Sequence, residues 1–263
     1  MKDITRLLCM VLLSFLVVTG CSRRDILDDY PVSGVEVRLD WSGVTEKLPE
    51  GVRIIFYPKD EKGRKIDTYL SVTGGEVKVP SGHYAVVIYN YDTETVLIRG
   101  EESYETIQAY TNFCKLGIAG TEKMVWGPDP LYVVNIDDLD IQNSEETLIL
   151  KLKPKLVIRT YSFSIKVQGL SNVSNVIGSI GGMADHYFLG KAYATCDDYP
   201  INIDLNVKAG KIEGVFTTFG LPEAIITRLE IKLPVMMNLM IIKVDNSVQE
   251  VKINITEAVQ EPT

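Results

Sequence analysis

The stretch "VEVRLDW", residues 35–41, indicates the fold class of this chain. Apolar residues occupy every second position and charged residues occupy the positions between them: Val35, Val37, Leu39 and Trp41 against Glu36, Arg38 and Asp40. Successive side chains of a β-strand point to opposite faces, so this alternation is typical of a strand that is buried on one side. We expect Trp41, on the apolar face, to pack in a core.

The same alternation continues along the chain, with turn-forming residues between the segments. In the first half we predict strands at 53–58, 75–80, 83–92 and 146–154, with turns at 59–64, 73–75 and 80–82. In the second half we predict strands at 155–170, 201–207, 211–219, 227–233, 238–244 and 250–256, with hairpin turns at 208–211 and 244–249. Short strands at this spacing favour a sandwich or a barrel.

The two series of strands predict an all-β protein made of two tandem β-sandwich domains, at 35–154 and 155–263. Both series open with a long strand and then a similar loop, "DWSGV" at 40–44 and "GLSNV" at 169–173. This similarity suggests two copies of a related unit.

Residues 101–145 lack clear periodicity. The segment 101–113 could form a short helix, and 127–130 and 135–146 are predicted to be surface loops. A stretch of this length without regular structure is usually functional or mobile.

The first twenty residues have the features of an export signal. Lys2 and Arg6 precede an uncharged apolar run of twelve residues, Leu7–Val18, which fits the 7–15 residues of a signal peptide. A membrane-spanning helix needs about 20 apolar residues, so a retained anchor is the less favoured alternative. We predict that residues 1–20 form a signal peptide.

The apolar run ends in "VTGC", residues 18–21, which resembles the bacterial lipobox. In that motif small residues precede a cysteine whose sulfur takes a diacylglycerol before the peptidase cuts ahead of it. We therefore predict lipidation of Cys21, since several acyl chains, palmitate among them, make a durable membrane anchor. Ser22 stands where an aspartate favours inner-membrane retention, so the resemblance implies a lipoprotein of the cell outer membrane, exposed at the surface.

Residues 21–34 form the predicted lipidated tether. Arg23 and Arg24 would lie at the lipid headgroups, where each basic residue is favoured by about 1 kcal/mol near an anionic leaflet. Pro31 and Gly34 interrupt the polar residues that follow, so this segment does not pack alone. The body is therefore held near the membrane without entering it.

Charge and cysteine content restrict the partners and the covalent structure. The whole chain carries −8 and the signal peptide +1, so the mature chain carries −9, which argues against a nucleic-acid partner. Cys114 and Cys196 remain after export, and an exported compartment permits a disulfide between them. Because they belong to different predicted domains, two buried thiols are favoured over a bond.

No pattern in the sequence predicts an enzyme or a cofactor. His83 and His186 lie in different halves, whereas metal sites need three or four clustered ligands, and His83 is predicted to be a turn residue. In "VIGSIGG", residues 176–182, Ile177 stands where a nucleophile elbow around Ser179 needs glycine. We predict a flexible loop there that leads into a strand.

Acidic residues at Asp137, Asp138 and Asp140 raise the alternative of a calcium site. The familiar calcium loop needs acidic residues at alternate positions, a glycine at position six and a glutamate at position twelve, and these are missing. A solvated acidic loop is therefore the favoured prediction.

Aromatic residues in the first half raise the alternative of a glycan-binding surface. Tyr89 and Tyr91 share a face with Ala85 and Val87, so one of these tyrosines is expected in the core. Trp126, in "MVWGPDP", is the aromatic residue that we expect to be exposed, and it is the predicted glycan contact.

The lipobox and tether are followed by "VEVRLDWSGV", "VPSGHYAVVIYNYDTE", "GPDPLY" and "IGSIGGMADHYFLGK". Together these segments resemble the fimbrillin-like lipoproteins of the Bacteroidales, in the branch of fimbrial anchor and tip proteins, which is largely of unknown function. The resemblance implies a pair of transthyretin-like β-sandwiches. It also implies subunits that assemble by strand complementation, in which main-chain hydrogen bonds supply the affinity.

In polymerising members of this family an N-terminal strand is removed by a cut after an arginine. Here a cut after Arg38 would split a strand and release the lipid. The resemblance therefore implies a structural or adhesive fimbria-associated subunit, of the anchor or accessory type, that binds partner subunits by β-strand complementation. A surface glycan-binding lipoprotein that serves nutrient capture is the alternative.

The C-terminal segment 251–263 could be an ordinary last strand or a strand donated to a neighbour. Val251, Ile253 and Ile255 alternate as a half-buried strand should, which favours the ordinary strand. A host or glycan ligand is not identified by any motif.

Overall fold

The alternating segments form strands, and the chain is almost entirely β-structure, as predicted. The computed structural model describes residues 32–60, 63–114, 123–197, 199–208, 210–223 and 234–260. Within these ranges, no helix has the length and apolar character needed to cross a membrane.

Strands β1–β11 precede residue 155 in the chain. Their bounds are β1 (Val32–Leu39), β2 (Gly51–Pro58), β3 (Ile66–Ser71), β4 (Gly74–Pro80), β5 (Gly82–Asn90), β6 (Val96–Arg99), β7 (Gln108–Thr111), β8 (Phe113–Cys114), β9 (Met124–Val125), β10 (Tyr132–Ile141) and β11 (Leu148–Leu152).

The second half contains the remaining strands and a short helix. Their bounds are β12 (Lys155–Leu156), β13 (Arg159–Lys166), β14 (Val173–Gly181), β15 (His186–Phe188), β16 (Tyr193–Thr195), β17 (Ile201–Lys208), β18 (Lys211–Thr218), β19 (Met236–Lys243), β20 (Val248–Asn254) and α1 (Thr256–Val259).

These strands form three sheets. The first has the order β11-β1-β4-β3-β2-β5-β10-β12, and the second has the order β13-β18-β17-β14-β19-β20, with β9 and β8 attached to β17. Strand β17 pairs with β14 through its first residues and with β18 through its last. Side chains from both ends of the second sheet therefore pack on one core, as in a β-sandwich.

Strand β5 is buried on both faces. Tyr84, Val86 and Ile88 point into the core of the first sandwich, between β5 and the strands β1 and β4. Ala85, Val87 and Tyr89 point into a second core on the other face of the sheet. Tyr89 is buried and Tyr91 is exposed, so the expectation that one of the two tyrosines lies in the core is confirmed. Trp41 packs against the first core, also as predicted.

The second core joins the two halves of the chain. It is covered by the third sheet, β16-β15-β7-β6, which contains strands from both halves. Ala184, Leu189 and Phe219 of the second half pack there against residues of β2 and β5. The predicted boundary at residues 154 and 155, and the transthyretin-like form of each sandwich, stay predictions.

Two segments in the region 101–145 differ from the predictions. The expected helix at 101–113 is a series of turns followed by β7, in which Ala109 and Thr111 are buried. The expected loop at 135–146 is largely strand β10, paired with β5. The register shifts between Ile136 and Leu139, and this bulge interrupts the period of two that would have identified the strand.

The glycine-rich segment 176–182 is also a strand rather than a loop. It belongs to β14, which lies between β17 and β19 in the second sheet. A Cβ at Gly178 would contact Ile203 and Leu205, so glycine allows close packing here rather than a flexible turn. The predicted strand at 227–233 lies outside the described residues.

We predict that Ile88→Ala lowers the free energy of unfolding by about 2–5 kcal/mol, because it opens a cavity around a fully buried side chain. Ile149→Ala is the matched control, since Ile149 in β11 is 47% exposed and Ile88 is 1% exposed. Urea unfolding followed by circular dichroism measures both changes. Equal losses for the two variants would contradict the burial of β5 against the core of the first sandwich.

Candidate functional site

The predicted N-terminal tether precedes the first strand of the first sheet. Strand β1 begins eleven residues after Cys21. Cys21 and the tether up to residue 31 lie outside the described residues, so the lipidation of Cys21 stays a prediction. The geometry of β1 nevertheless defines how a force on the tether would enter the protein.

Strand β1 lies between two neighbours rather than at an edge. Val32–Arg38 pairs antiparallel with β4, and Val35–Leu39 pairs parallel with β11. The side chains of Val35 and Val37 are buried in the core of the first sandwich. Because ladder hydrogen bonds run across the strands, a pull along β1 loads both ladders together.

Arg38 lies inside β1, one residue before its end. Its guanidinium makes an exposed ion pair with Glu36 at 2.8 Å, and its hydrogen bond lowers the pKa of the Glu36 carboxyl. Its backbone is paired with β4 on one side and β11 on the other. A protease would have to unfold β1 locally before it could cut after Arg38.

A polar network around Arg53 connects β2 to three neighbouring segments. The guanidinium donates to both carboxylate oxygens of Asp67, at 2.7 and 2.9 Å, and to both carboxylate oxygens of Glu101, at 2.8 and 2.9 Å. It also donates to the hydroxyl of Tyr89 at 2.8 Å. Arg53 lies in β2, Asp67 in β3 and Tyr89 in β5, and Glu101 follows β6.

The charges of this network stabilise one another. The hydrogen bonds from Arg53 lower the pKa of Asp67 and, reciprocally, the two carboxylates raise the pKa of Arg53. Burial raises the pKa of the Tyr89 hydroxyl, which therefore stays protonated. Lys65 adds a hydrogen bond to the carbonyl oxygen of Glu101 at 2.9 Å.

Two exposed tyrosines stand beside the network, and we call them the aromatic ledge. The side chain of Tyr69 is 59% exposed and that of Tyr91 is 44% exposed. Their ring centroids are 5.2 Å apart and the rings are nearly perpendicular. The guanidinium of Arg53 lies over the ring of Tyr69 at 5.8 Å. Sequence analysis did not identify this cluster, because it depends on the register of three strands.

Trp126 is exposed, with 43% of its surface accessible. Its backbone is held by hydrogen bonds with Asn112 and Thr111. Phe113 and Tyr199 are two further exposed rings, and they pack edge-on at 4.9 Å. The role of Trp126 as a glycan contact stays a prediction.

The two histidines lie in different environments, and neither is in a turn. His83 is the second residue of β5, exposed beside Asp138 and Asp140 of β10, at 3.4 and 3.8 Å. His186 is buried in β15, with Asp185 at one ring nitrogen and Asp197 3.5 Å from the other. Among the described residues no group of His, Cys, Asp and Glu has the arrangement of a metal site.

The remaining candidate positions are structural. Ser179 lies in β14 between Asn202 of β17 and Asn238 of β19, which is not the setting of a nucleophile. Cys114 and Cys196, the two cysteines in the described ranges, are both thiols. Burial raises the pKa of the Cys114 thiol, so that thiol is unreactive at neutral pH.

The C-terminal segment forms an ordinary last strand. Strand β20 pairs antiparallel with β19 and ends the order of the second sheet. Val251 and Ile253 pack against the core of that sheet. The alternation noted in the sequence is thus explained by pairing within the chain.

A family model and a curated relative both match most of this chain. Residues 20–204 match the family described as "Domain of unknown function (DUF5119)". Over 261 residues the chain is 53% identical to a Bacteroides ovatus protein with the name "Putative fimbrium anchoring subunit Fim4B", and the match covers 95% of this chain and 78% of that protein. The name of this relative describes a structural subunit, in agreement with the prediction that the chain is not an enzyme.

Solved structures agree with the sequence comparison. A crystal structure of a "putative adhesin" from Bacteroides ovatus has a TM-score of 0.82 and 52% identity, covering 93% of this chain and 91% of that one. The fimbrial anchor protein Mfa2 of Porphyromonas gingivalis has a TM-score of 0.54 and 14% identity, covering 86% and 83%. At that identity the second similarity supports the fold alone.

We predict that Arg53→Gln lowers the free energy of unfolding by about 1.5–3 kcal/mol at neutral pH, because two carboxylates lose their charged donor. The pKa of Asp67 is lowered in the folded state from an ordinary value of 3.8. The network therefore stabilises the fold above that value, and this stabilisation is lost as the pH falls through the folded-state pKa. Arg53→Gln should reduce this acid-dependent loss.

Urea unfolding between neutral pH and about pH 3 measures the effect. Arg38→Gln is the matched control, since the ion pair between Arg38 and Glu36 is exposed and contributes little. If both variants kept the stability of the parent chain, the network around Arg53 would have no structural role.

Proposed function

The chain belongs to the DUF5119 family, and from this premise we propose that it is a fimbria-associated anchoring subunit, held at the outer membrane by a lipid on Cys21. It connects the membrane to partner subunits and carries no chemistry of its own. The similarity to a named anchoring subunit over nearly the whole chain supports this role.

The position of β1 is the observation that carries the proposal. A tether transmits force only if the segment it enters resists extraction. Strand β1 enters between β4 and β11, and its apolar side chains are in the core. Extraction would break two ladders and expose that core together, which is the resistance that an anchor requires.

An uncut β1 also fits an anchor better than a subunit that polymerises into the shaft of a fimbria. A cut after Arg38 would remove nearly all of β1 and separate the lipid from the body. Because β1 occupies its own place in the sheet, the first sandwich needs no strand from a neighbour there.

Partner subunits are proposed to bind by strand complementation at the second sandwich. Strand β20 is the last strand of its sheet, and in the described part of the chain its outer edge faces no further strand. An edge of unpaired backbone groups is a template for an incoming strand. Main-chain hydrogen bonds would give affinity and alternate side chains would give specificity.

We predict that Cys21→Ser abolishes incorporation of labelled palmitate and leaves residues 1–20 attached, because the peptidase cuts only after the diacylglycerol has been added. The acyl chains supply the anchor at about 0.8 kcal/mol per buried CH₂, and the variant has none, so it should be lost from the outer-membrane fraction. Cys114→Ser, which removes a buried thiol, is the control and should keep both the label and the outer-membrane location. Palmitate incorporation into Cys21→Ser at the level of the parent chain would disprove the lipid anchor.

Assembly with partner subunits is tested on outer membranes, without a covalent crosslinker, run boiled and unboiled on a denaturing gel. A tag placed between Glu46 and Lys47, in an exposed loop, identifies the protein. We expect a ladder of high-mass bands that survives detergent and collapses on boiling. A monomer in both boiled and unboiled samples would contradict assembly by strand complementation.

A further inference from the structure

The aromatic ledge presents ring surface that the fold does not cover. Arg53 lies over the ring of Tyr69, so one face of that ring is occupied and the other faces solvent. Tyr91 stands nearly perpendicular beside it. Two exposed rings at this angle form a corner, and an aromatic corner suits a ligand with an apolar C–H face.

Beside the ledge, the carboxylates can accept further hydrogen bonds, whereas the guanidinium of Arg53 has no N–H group left to donate. A guanidinium has five N–H groups, and the five hydrogen bonds of Arg53 to Asp67, Glu101 and Tyr89 use all of them. Each carboxylate offers about four lone-pair sites, and Arg53 occupies two on each. The free capacity therefore belongs to Asp67 and Glu101, which accept hydrogen bonds.

The local charge selects a neutral ligand. The positive charges of Arg53 and Lys65 balance the negative charges of Asp67 and Glu101. An anionic ligand would find no free donor on Arg53 and would approach two carboxylates. A cationic side chain would find the charge of both carboxylates already balanced by Arg53 and Lys65, so neither sign of charge gains a strong partner, whereas a neutral hydroxyl can still donate to their free lone pairs.

We propose that the aromatic ledge and the carboxylates of Asp67 and Glu101 form a binding site for neutral carbohydrate. A saccharide ring combines an apolar C–H face, which stacks on Tyr69 or Tyr91, with hydroxyls that donate to Asp67 and Glu101. The network holds these groups in place through contacts with four segments. Little further conformational freedom is therefore lost when a ligand binds. The site is distinct from Trp126, the residue that sequence analysis indicated.

The site lies at the end of the first sheet that is distant from the tether. Val32 pairs with Pro80 at one end of β4, whereas Ser71 pairs with Gly74 at the other. Tyr69 is two residues from Ser71, and Tyr91 adjoins the pair of Val52 with Asn90. On the proposed lipid anchor, the ledge would face away from the membrane.

The test is affinity gel electrophoresis of the detergent-solubilised full chain in gels that contain yeast mannan, amylopectin or dextran. We expect at least one of these neutral polysaccharides to retard the protein, and polygalacturonate not to. Tyr69→Ala should weaken retardation about tenfold, because it removes a stacking surface. Tyr69→Phe should retain it, since the ring remains, and Ile149→Ala, at an exposed residue outside the ledge, should leave it unchanged. Trp126→Ala tests the alternative site that sequence analysis indicated.

Urea unfolding of each variant separates loss of binding from loss of fold. The proposal is overturned if no neutral polysaccharide retards the parent chain, if polygalacturonate retards it instead, or if folded Tyr69→Ala binds as the parent does. Retardation abolished by Trp126→Ala and not by Tyr69→Ala would move the site to Trp126. The high-mass ladder on unboiled gels is independent of all these outcomes, so the anchoring role and the carbohydrate site fail separately.

Discussion

Burial of strand β5 on both faces is the constraint on which the rest of the structure depends. Its alternate side chains belong to two different cores, one inside the first sandwich and one shared with the second half of the chain. A shift of β5 by one residue would exchange the two sets of side chains. Asn90, the last residue of β5, accepts a hydrogen bond from the backbone N–H of Tyr132 and donates one to the carbonyl of Pro130. These two bonds position the start of β10.

The sequence predicted β1 and β11, whose period of two is unbroken, and missed β10 and β14, in which it is interrupted. "VEVRLDW" has one charged and one apolar face, and β1 is there. In β10 the bulge near Asp137 and Asp138 puts the later residues out of phase, so the strand resembled an acidic loop. In β14 glycine and serine gave the composition of a loop, although residues 175–181 pair one by one with β19. The local sequence pattern thus identified the buried and exposed faces of regular strands, but not the positions at which a strand's alternation is interrupted.

The Arg53 network and the aromatic ledge depend on the pairing of strands that are distant in sequence, and a local sequence pattern does not contain this information. Arg53 is 14 residues from Asp67, 36 from Tyr89 and 48 from Glu101. Each residue alone is an ordinary member of a strand or turn. Register brings them together, and register is decided by the two cores rather than by the polar residues themselves. The exposure of Trp126 was predictable from its Gly- and Pro-rich neighbours, whereas the ledge required the assembled sheet.

The parallel pairing of β1 with β11 has a consequence for the order in which the sheet forms. Strand β1 has a partner that lies about 110 residues later, since Val35 pairs with Leu148. A contact of such sequence separation forms late. Strand β1 can pair with β4 once residue 80 is present, but its second ladder closes only after nearly all of the first half has been made. The resistance of β1 to extraction is therefore complete only at that late stage of folding.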